Sequence, residues 1–258
     1  MNQSDKQEPS NNHVKTLSGV AVAVFILTLI VTFLFIFSGY GYQYEIWELG
    51  TAFSVLRNSA YAMFGLILVN LLALYLTRPS SGKRGMTPAI LGLAMSISVL
   101  GTAIYWQNEA RSWPAIHDIT TDTKNPPQFN AIVPLRADAP NPPEYLGGET
   151  TSLQNSAYPD ITTLEIDADP GKVFEEAVRL VEDRGWELVS ADRDSLVIEA
   201  TETLAWFGFK DDVVIRIRRS GQGSSLVDIR SKSRIGGSDL GMNAWRIRQF
   251  LADLNQKM

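Results

Sequence analysis

The chain of 258 residues has no cysteine, only two histidines, and three stretches of membrane length without a charged residue. The missing cysteine excludes a disulfide framework, a thiolate nucleophile and any Cys-ligated zinc. The scarcity of histidine leaves His117 as the only imidazole outside the N-terminal tail. Positive charge is also short where a soluble domain would lie. From Trp113 onward, sixteen Lys/Arg face twenty-three Asp/Glu. Phosphate binding needs a positive surface, so nucleic acid is not an expected partner.

What is present begins with apolar length. Leu17–Ser38, Asn58–Thr77 and Met86–Gln107 are uncharged and apolar. At about 1.5 Å per residue, each is long enough for a hydrocarbon core of about 30 Å. A cleaved signal peptide is the rival for the first run, but its apolar core is usually shorter, and Phe37-Ser38-Gly39-Tyr40 is a poor cleavage site. Tyr40, Tyr42, Tyr44 and Trp47 form an aromatic belt instead. Small residues at four-residue spacing, Gly92/Ser96 and Ser98/Thr102, allow close helix approach, and Asn70 is expected to hydrogen-bond between helices. With no charge inside any span, a proton or ion pathway lacks a carrier, which argues against a transporter.

Orientation follows from the loops. Thr77–Met86 holds Arg78, Lys83 and Arg84 with no acid, and the polar tail carries Lys6 and Lys15. The positive-inside rule puts the tail and this loop in the cytoplasm. Three crossings then leave the chain after Glu109 outside, in the periplasm of a bacterium with two membranes. The expected layout is a tail over 1–16, a three-span region over 17–108 and an extracytoplasmic domain over 109–258. Within the domain, 114–129 is a distinct segment, 130–157 a proline-rich linker that floats or lies along a surface, and 158–258 the core.

Ile161–Ala168 alternates as a strand, and Asp169-Pro170 caps a helix with Val173, Phe174, Ala177, Val178 and Val181 as its apolar stripe. Two hairpins follow, Trp186–Ala191 with Ser195–Thr203 and Asp212–Arg219 with Ser225–Arg234. A last helix over about Asp239–Leu254 completes the order strand, helix, four strands, helix. The expected fold class is therefore α+β: a three-helix transmembrane bundle followed by a two-layer domain, its antiparallel sheet covered on one face by two helices.

Several residues invite a chemical reading. His117, Asp118 and Asp122 combine an imidazole with carboxylates, as a metal site or an acid–base pair would. Their spacing matches no metal-ligand pattern, and Asp118–Asn125 is rich in turn and cap formers, so a structural clasp is preferred. Trp206-Phe207-Gly208-Phe209 either dips into a membrane or ligand mouth or plugs the edge of the core. Arg216, Arg218, Asp228, Arg230, Lys232 and Arg234 fall on the sheet face opposite Ile215 and Ile217, beside Glu199. They are expected to form a solvated checkerboard of cross-strand pairs. Arg234-Ile235-Gly236-Gly237-Ser238-Asp239 runs from a strand through two glycines into a helix start, where free N–H groups suit an anion unless Asp239 caps them. Arg230, Arg234, Gly236, Gly237, Asn243 and Arg246 are the candidate ligand- or anion-binding residues.

Taken in order, Pro114–Phe129, Tyr158-Pro159-Asp160, Trp206–Asp212 and Asp228–Arg248 resemble the family known as domain of unknown function 1499. The resemblance implies no activity to carry over, but it makes Pro114–Phe129 part of the domain. The leading expectation is a non-enzymatic envelope module, without cofactor or metal, that contacts the lipid bilayer and binds an envelope protein or an apolar, lipid-like ligand. The competing expectation is a hydrolase acting on an anionic envelope substrate through His117, Asp118, Asp122, Arg234 and Arg246.

Overall fold

The computed structural model describes residues 16–221 and 223–258. The expected polar tail, with Lys6 and Lys15, lies outside the described residues, as does Gln222 of the second hairpin turn. The chain divides into two compact units, 1–106 and 107–258.

In the first unit, β1 (Thr16–Leu17) pairs in parallel with β2 (Lys83–Arg84). Three helices are long and apolar enough to cross a membrane: α1 (Gly19–Gln43), α2 (Leu49–Leu76) and α3 (Met86–Ser112). Ser18 caps α1 by accepting the N–H of Ala21. The turn between α1 and α2 is tight because Gly41 has no side chain and Trp47 folds over it, its indole donating to the Ser38 carbonyl at 3.0 Å. Asn70 donates to the Thr28 hydroxyl at 3.2 Å, the interhelical bond expected of it. Gly92 of α3 lies directly against the Asn70 side chain, and any larger residue there would collide with it. The first small-residue pair is thus a packing seam, as Gly92 and Ser96 are buried.

The second unit is built on one antiparallel sheet with spatial order β3-β8-β7-β6-β5. Its strands are β3 (Asp118–Thr120), β4 (Leu164–Ile166), β5 (Glu187–Asp192), β6 (Val197–Thr203), β7 (Lys210–Ser220) and β8 (Ser224–Ser233). Strand β4 also pairs with β8, beyond β3. Both expected hairpins form, whereas the strand expected over 161–168 shortens to three residues. Two helices cover one face. Asp169 caps α5 (Pro170–Asp183), and Val173, Phe174, Ala177, Leu180 and Val181 of that helix are buried. From α6 (Met242–Lys257), Ala244, Ile247, Phe250 and Leu254 meet Ile198, Val213, Ile215, Ile217, Val227 and Ile229 of the sheet in one core.

The other face is not open to water. The proline-rich segment lies across it, held by a 3-10 turn over Val133–Arg136 and a short helix, α4 (Glu149–Ala157). Ile132 of that segment and Phe129 just before it pack on Val214. Gln154 of α4 hydrogen-bonds both backbone groups of Thr120, accepting its N–H at 3.1 Å and donating to its carbonyl at 2.6 Å. The α+β architecture therefore stands, and the segment over 130–157 is a strap on the sheet.

Candidate functional site

Alternation along β7 and β8 sorts side chains by parity. Residues 213, 215, 217, 227 and 229 point to the helices, so Asp212, Arg216, Arg218, Asp228, Arg230, Lys232 and Arg234 share the strap face with Asp118 and Glu199. The expected placement is correct, but the expected solvation fails at the centre of the layer and holds only toward its edge, at Arg218. Asp228, Arg230 and Lys232 have no exposed surface, and Glu199 and Asp118 are buried. The strap excludes water, so each charge needs a partner within the protein.

Those partners are present. Asp118 receives Arg230 through two bonds of 2.8 Å and the Lys232 ammonium at 3.0 Å. Arg230 also donates to the carbonyls of Pro127 and Pro143, and lies over the rings of Phe129 and Tyr145. Lys232 donates to the Glu144 carbonyl at 2.7 Å. Asp212 accepts from Arg136 of the strap, from Arg234 and from Thr201. Glu199 accepts three backbone N–H groups, from Asn130, Ala131 and Ile132, each at 2.9 Å. Asp228 binds Arg216, Arg218, Thr121 and Thr163. Burial acts to raise the Asp228 carboxyl, but the hydrogen bonds from Thr163, Arg216 and Arg218 outweigh it and hold the pKa below the usual 3.8.

The helix face carries a second polar cluster. Arg246 of α6 donates to Asp211 at 2.7 Å, to the Ser231 hydroxyl at 2.9 Å, and also to Asn243 and Glu202. Asn243 ties Ser231, Ser233 and the His117 carbonyl together. In the loop before α6, Asp239 accepts the N–H groups of Gly241 and Asn243, at 3.0 and 2.7 Å. The helix start expected to suit an anion is thus capped by the chain's own carboxylate. Burial nevertheless raises the Asp239 pKa, against those two backbone hydrogen bonds.

The expected catalytic set does not converge. Asp118 and Asp122 both lie under the strap but on separate cations, Arg230 with Lys232 and Arg216 respectively. Arg234 is paired with Asp212, and Arg246 belongs to the opposite face. His117 is half-buried beside Lys232, and its Nδ1 is buried without a partner among the described residues. Its pKa is lowered, first by burial and then by the charge of Lys232, while Asp118 and the Gly237 backbone oppose this. Lys232 is also lowered by burial, against the pull of Asp118. Gly236, whose carbonyl accepts from Asn141, and Gly237 form the loop leading to Asp239. Among the described residues, no three side chains of histidine, aspartate or glutamate gather as a metal site. Buried Phe207 stacks on Phe209 and meets Trp206 edge to face, in a tight loop closed by Leu204 and Phe209.

Sequence reasoning missed Arg136 and Gln154, both central to the strap. Their only signal was their presence, since nothing in a proline-rich stretch says which sheet face it will cover. A cleft and a smaller pocket lie in this unit. The cleft, of about 280 Å³, runs between residues 160–164 and α6, with the Arg248–Asp160 ion pair among its lining residues. The pocket, of about 70 Å³, sits beside His117 and Lys232. A family model described as protein of unknown function (DUF1499) matches residues 118–254, more than half of the chain. No curated protein matches the sequence.

Proposed function

The chain belongs to the DUF1499 family of proteins of unknown function, and from that premise we propose that it is a multi-pass membrane protein presenting a non-catalytic binding module in the cell envelope. One observation carries this reading. The acids and arginines that a hydrolase would use are spent on separate structural ion pairs, on two faces of one sheet. Acid–base catalysis needs its groups within hydrogen-bond reach of one reacting atom. Buried charges held in structural ion pairs and hydrogen bonds instead suit a rigid scaffold.

Three helices long and apolar enough to cross a membrane support the membrane part of this reading. The basic loop with Arg78, Lys83 and Arg84 supports a cytoplasmic second loop, and hence a periplasmic domain on the outer side of an inner membrane. The acidic balance of the domain argues against nucleic acid. Its partner is an envelope protein or an apolar, lipid-like molecule. The cleft lined by apolar Ile161, Leu164, Ile247 and Leu251 and by polar Asp160 and Arg248, among others, has a size close to that of small ligand pockets.

Because the chain has no cysteine, Ser81→Cys and Gln256→Cys variants test the orientation in intact cells. A membrane-impermeant maleimide is expected to label the cysteine at 256 and not that at 81. The reverse pattern overturns the periplasmic placement. A hydrolytic activity on envelope material that disappears in a folded His117→Gln variant would overturn the non-catalytic reading.

A further inference from the structure

The pocket of about 70 Å³ is lined by His117, Asp118, Lys232, Leu146, Thr150 and Gly237, among others. It is small, yet large enough to hold more than a single water. Its walls carry unused donors. An ammonium has three N–H groups, and Lys232 directs two at Asp118 and the Glu144 carbonyl. The third has no acceptor among the described residues. The buried His117 Nδ1 is likewise without a partner among the described residues, and it is a donor in the imidazolium. Charge points the same way, because a single carboxylate, Asp118, faces both Arg230 and Lys232. One positive charge is therefore uncompensated in a place where burying charge is costly.

We propose that this pocket binds a small, singly charged carboxylate, held by the Lys232 ammonium, the His117 Nδ1–H and the Thr150 hydroxyl. Water would satisfy the donors but leave the excess charge. A dianion would meet the Asp118 carboxylate, which also lines the pocket, and so the site is limited to one negative charge. The carboxylate is either a free small acid or the head of an acyl chain, whose tail would pass the exposed Leu146 at the rim. Binding favours the imidazolium of His117. Besides the ligand, Lys232, Asp118 and Arg136 act on that ring, so affinity rises as pH falls. The inference deepens the binding-module reading and rests on it.

The test uses the full-length protein in detergent micelles, with ¹⁵N-labelled histidine and a buffer free of other carboxylates. Sodium formate and sodium decanoate, kept below its critical micelle concentration, are titrated separately. A saturable shift of the His117 ring signals is expected, one that the His13 signals do not share. Tighter binding of decanoate identifies an acyl headgroup site, and equal or tighter binding of formate identifies a free-acid site. Lys232→Gln is expected to weaken binding at least tenfold. Should that variant fail to fold, Thr150→Leu fills the pocket without touching an ion pair and is expected to abolish the saturable shift. The proposal is overturned if neither probe shifts His117 saturably, or if Thr150→Leu responds as the wild type does. Absence of binding removes the carboxylate site but leaves the module reading standing, whereas turnover of the bound probe would remove the module reading itself.

Discussion

Asp118 and Arg230 meet through two parallel 2.8 Å hydrogen bonds, although 112 residues separate them in the chain. Neither side chain is appreciably exposed, at 4% and 0%. The pair locks the first strand of the domain to β8, in the register that sets Asp118 opposite Lys232. It is the anchor of the polar layer beneath the strap.

Removing the arginine alone leaves Asp118 buried with one cation fewer and strips the Pro127 and Pro143 carbonyls of their donor. Breaking a buried pair on one side typically costs about 3–5 kcal/mol. Arg230→Met is expected to lower stability by that order. Denaturant unfolding of the purified full chain measures it, and a loss below about 1 kcal/mol would show that the pair is dispensable.

Glu199 holds the strap by accepting three consecutive backbone N–H groups. Glu199→Gln keeps the shape but removes the charge and an acceptor oxygen. The expected cost is about 1–3 kcal/mol, concentrated locally. Amide exchange followed by mass spectrometry should show faster exchange over residues 130–136 while α5 and α6 stay protected.

The pH dependence has a definite sign. The folded-state pKa of His117 lies below the 6.5 of a free imidazole, so the unfolded chain takes up the proton first. Stability is full above 6.5 and is lost as pH falls through the folded value. Asp228, held below 3.8, adds a loss only in stronger acid. Asp239, raised from 3.8, acts oppositely, since its contribution is lost as pH rises through its folded value. Between about pH 5 and 8, unfolding free energy measured against pH should slope upward, and His117→Gln should flatten that slope.

Gly241 caps α6 with φ of 77°, and a Cβ there would stand 2.8 Å from the Trp113 ring. Gly241→Ala combines a left-handed backbone with a collision, a cost of about 1–3 kcal/mol. A lowered melting temperature together with altered tryptophan fluorescence checks this. An unchanged melt would mean that Trp113 moves aside freely.

Much of the architecture was legible in one dimension. Three uncharged runs of membrane length, the caps at Asp169 and the alternation of β6 to β8 depend on neighbours a few residues apart, and local chemistry settles them. Alternation also assigned Arg230, Lys232 and Glu199 to one face. It could not say whether that face meets water. Periodicity records which side chains share a surface, while burial depends on what another part of the chain brings against it. Here Phe129, Ile132, Arg136 and Gln154, from a stretch without a readable period, close the face. That closure is a long-range event, and it turned an expected solvated checkerboard into a largely buried layer of charges held in ion pairs. The tertiary structure alone also decided that His117 would stand half-buried by Lys232 with a nitrogen unspent, because the strand pairing of β3 with β8 is what carries it there.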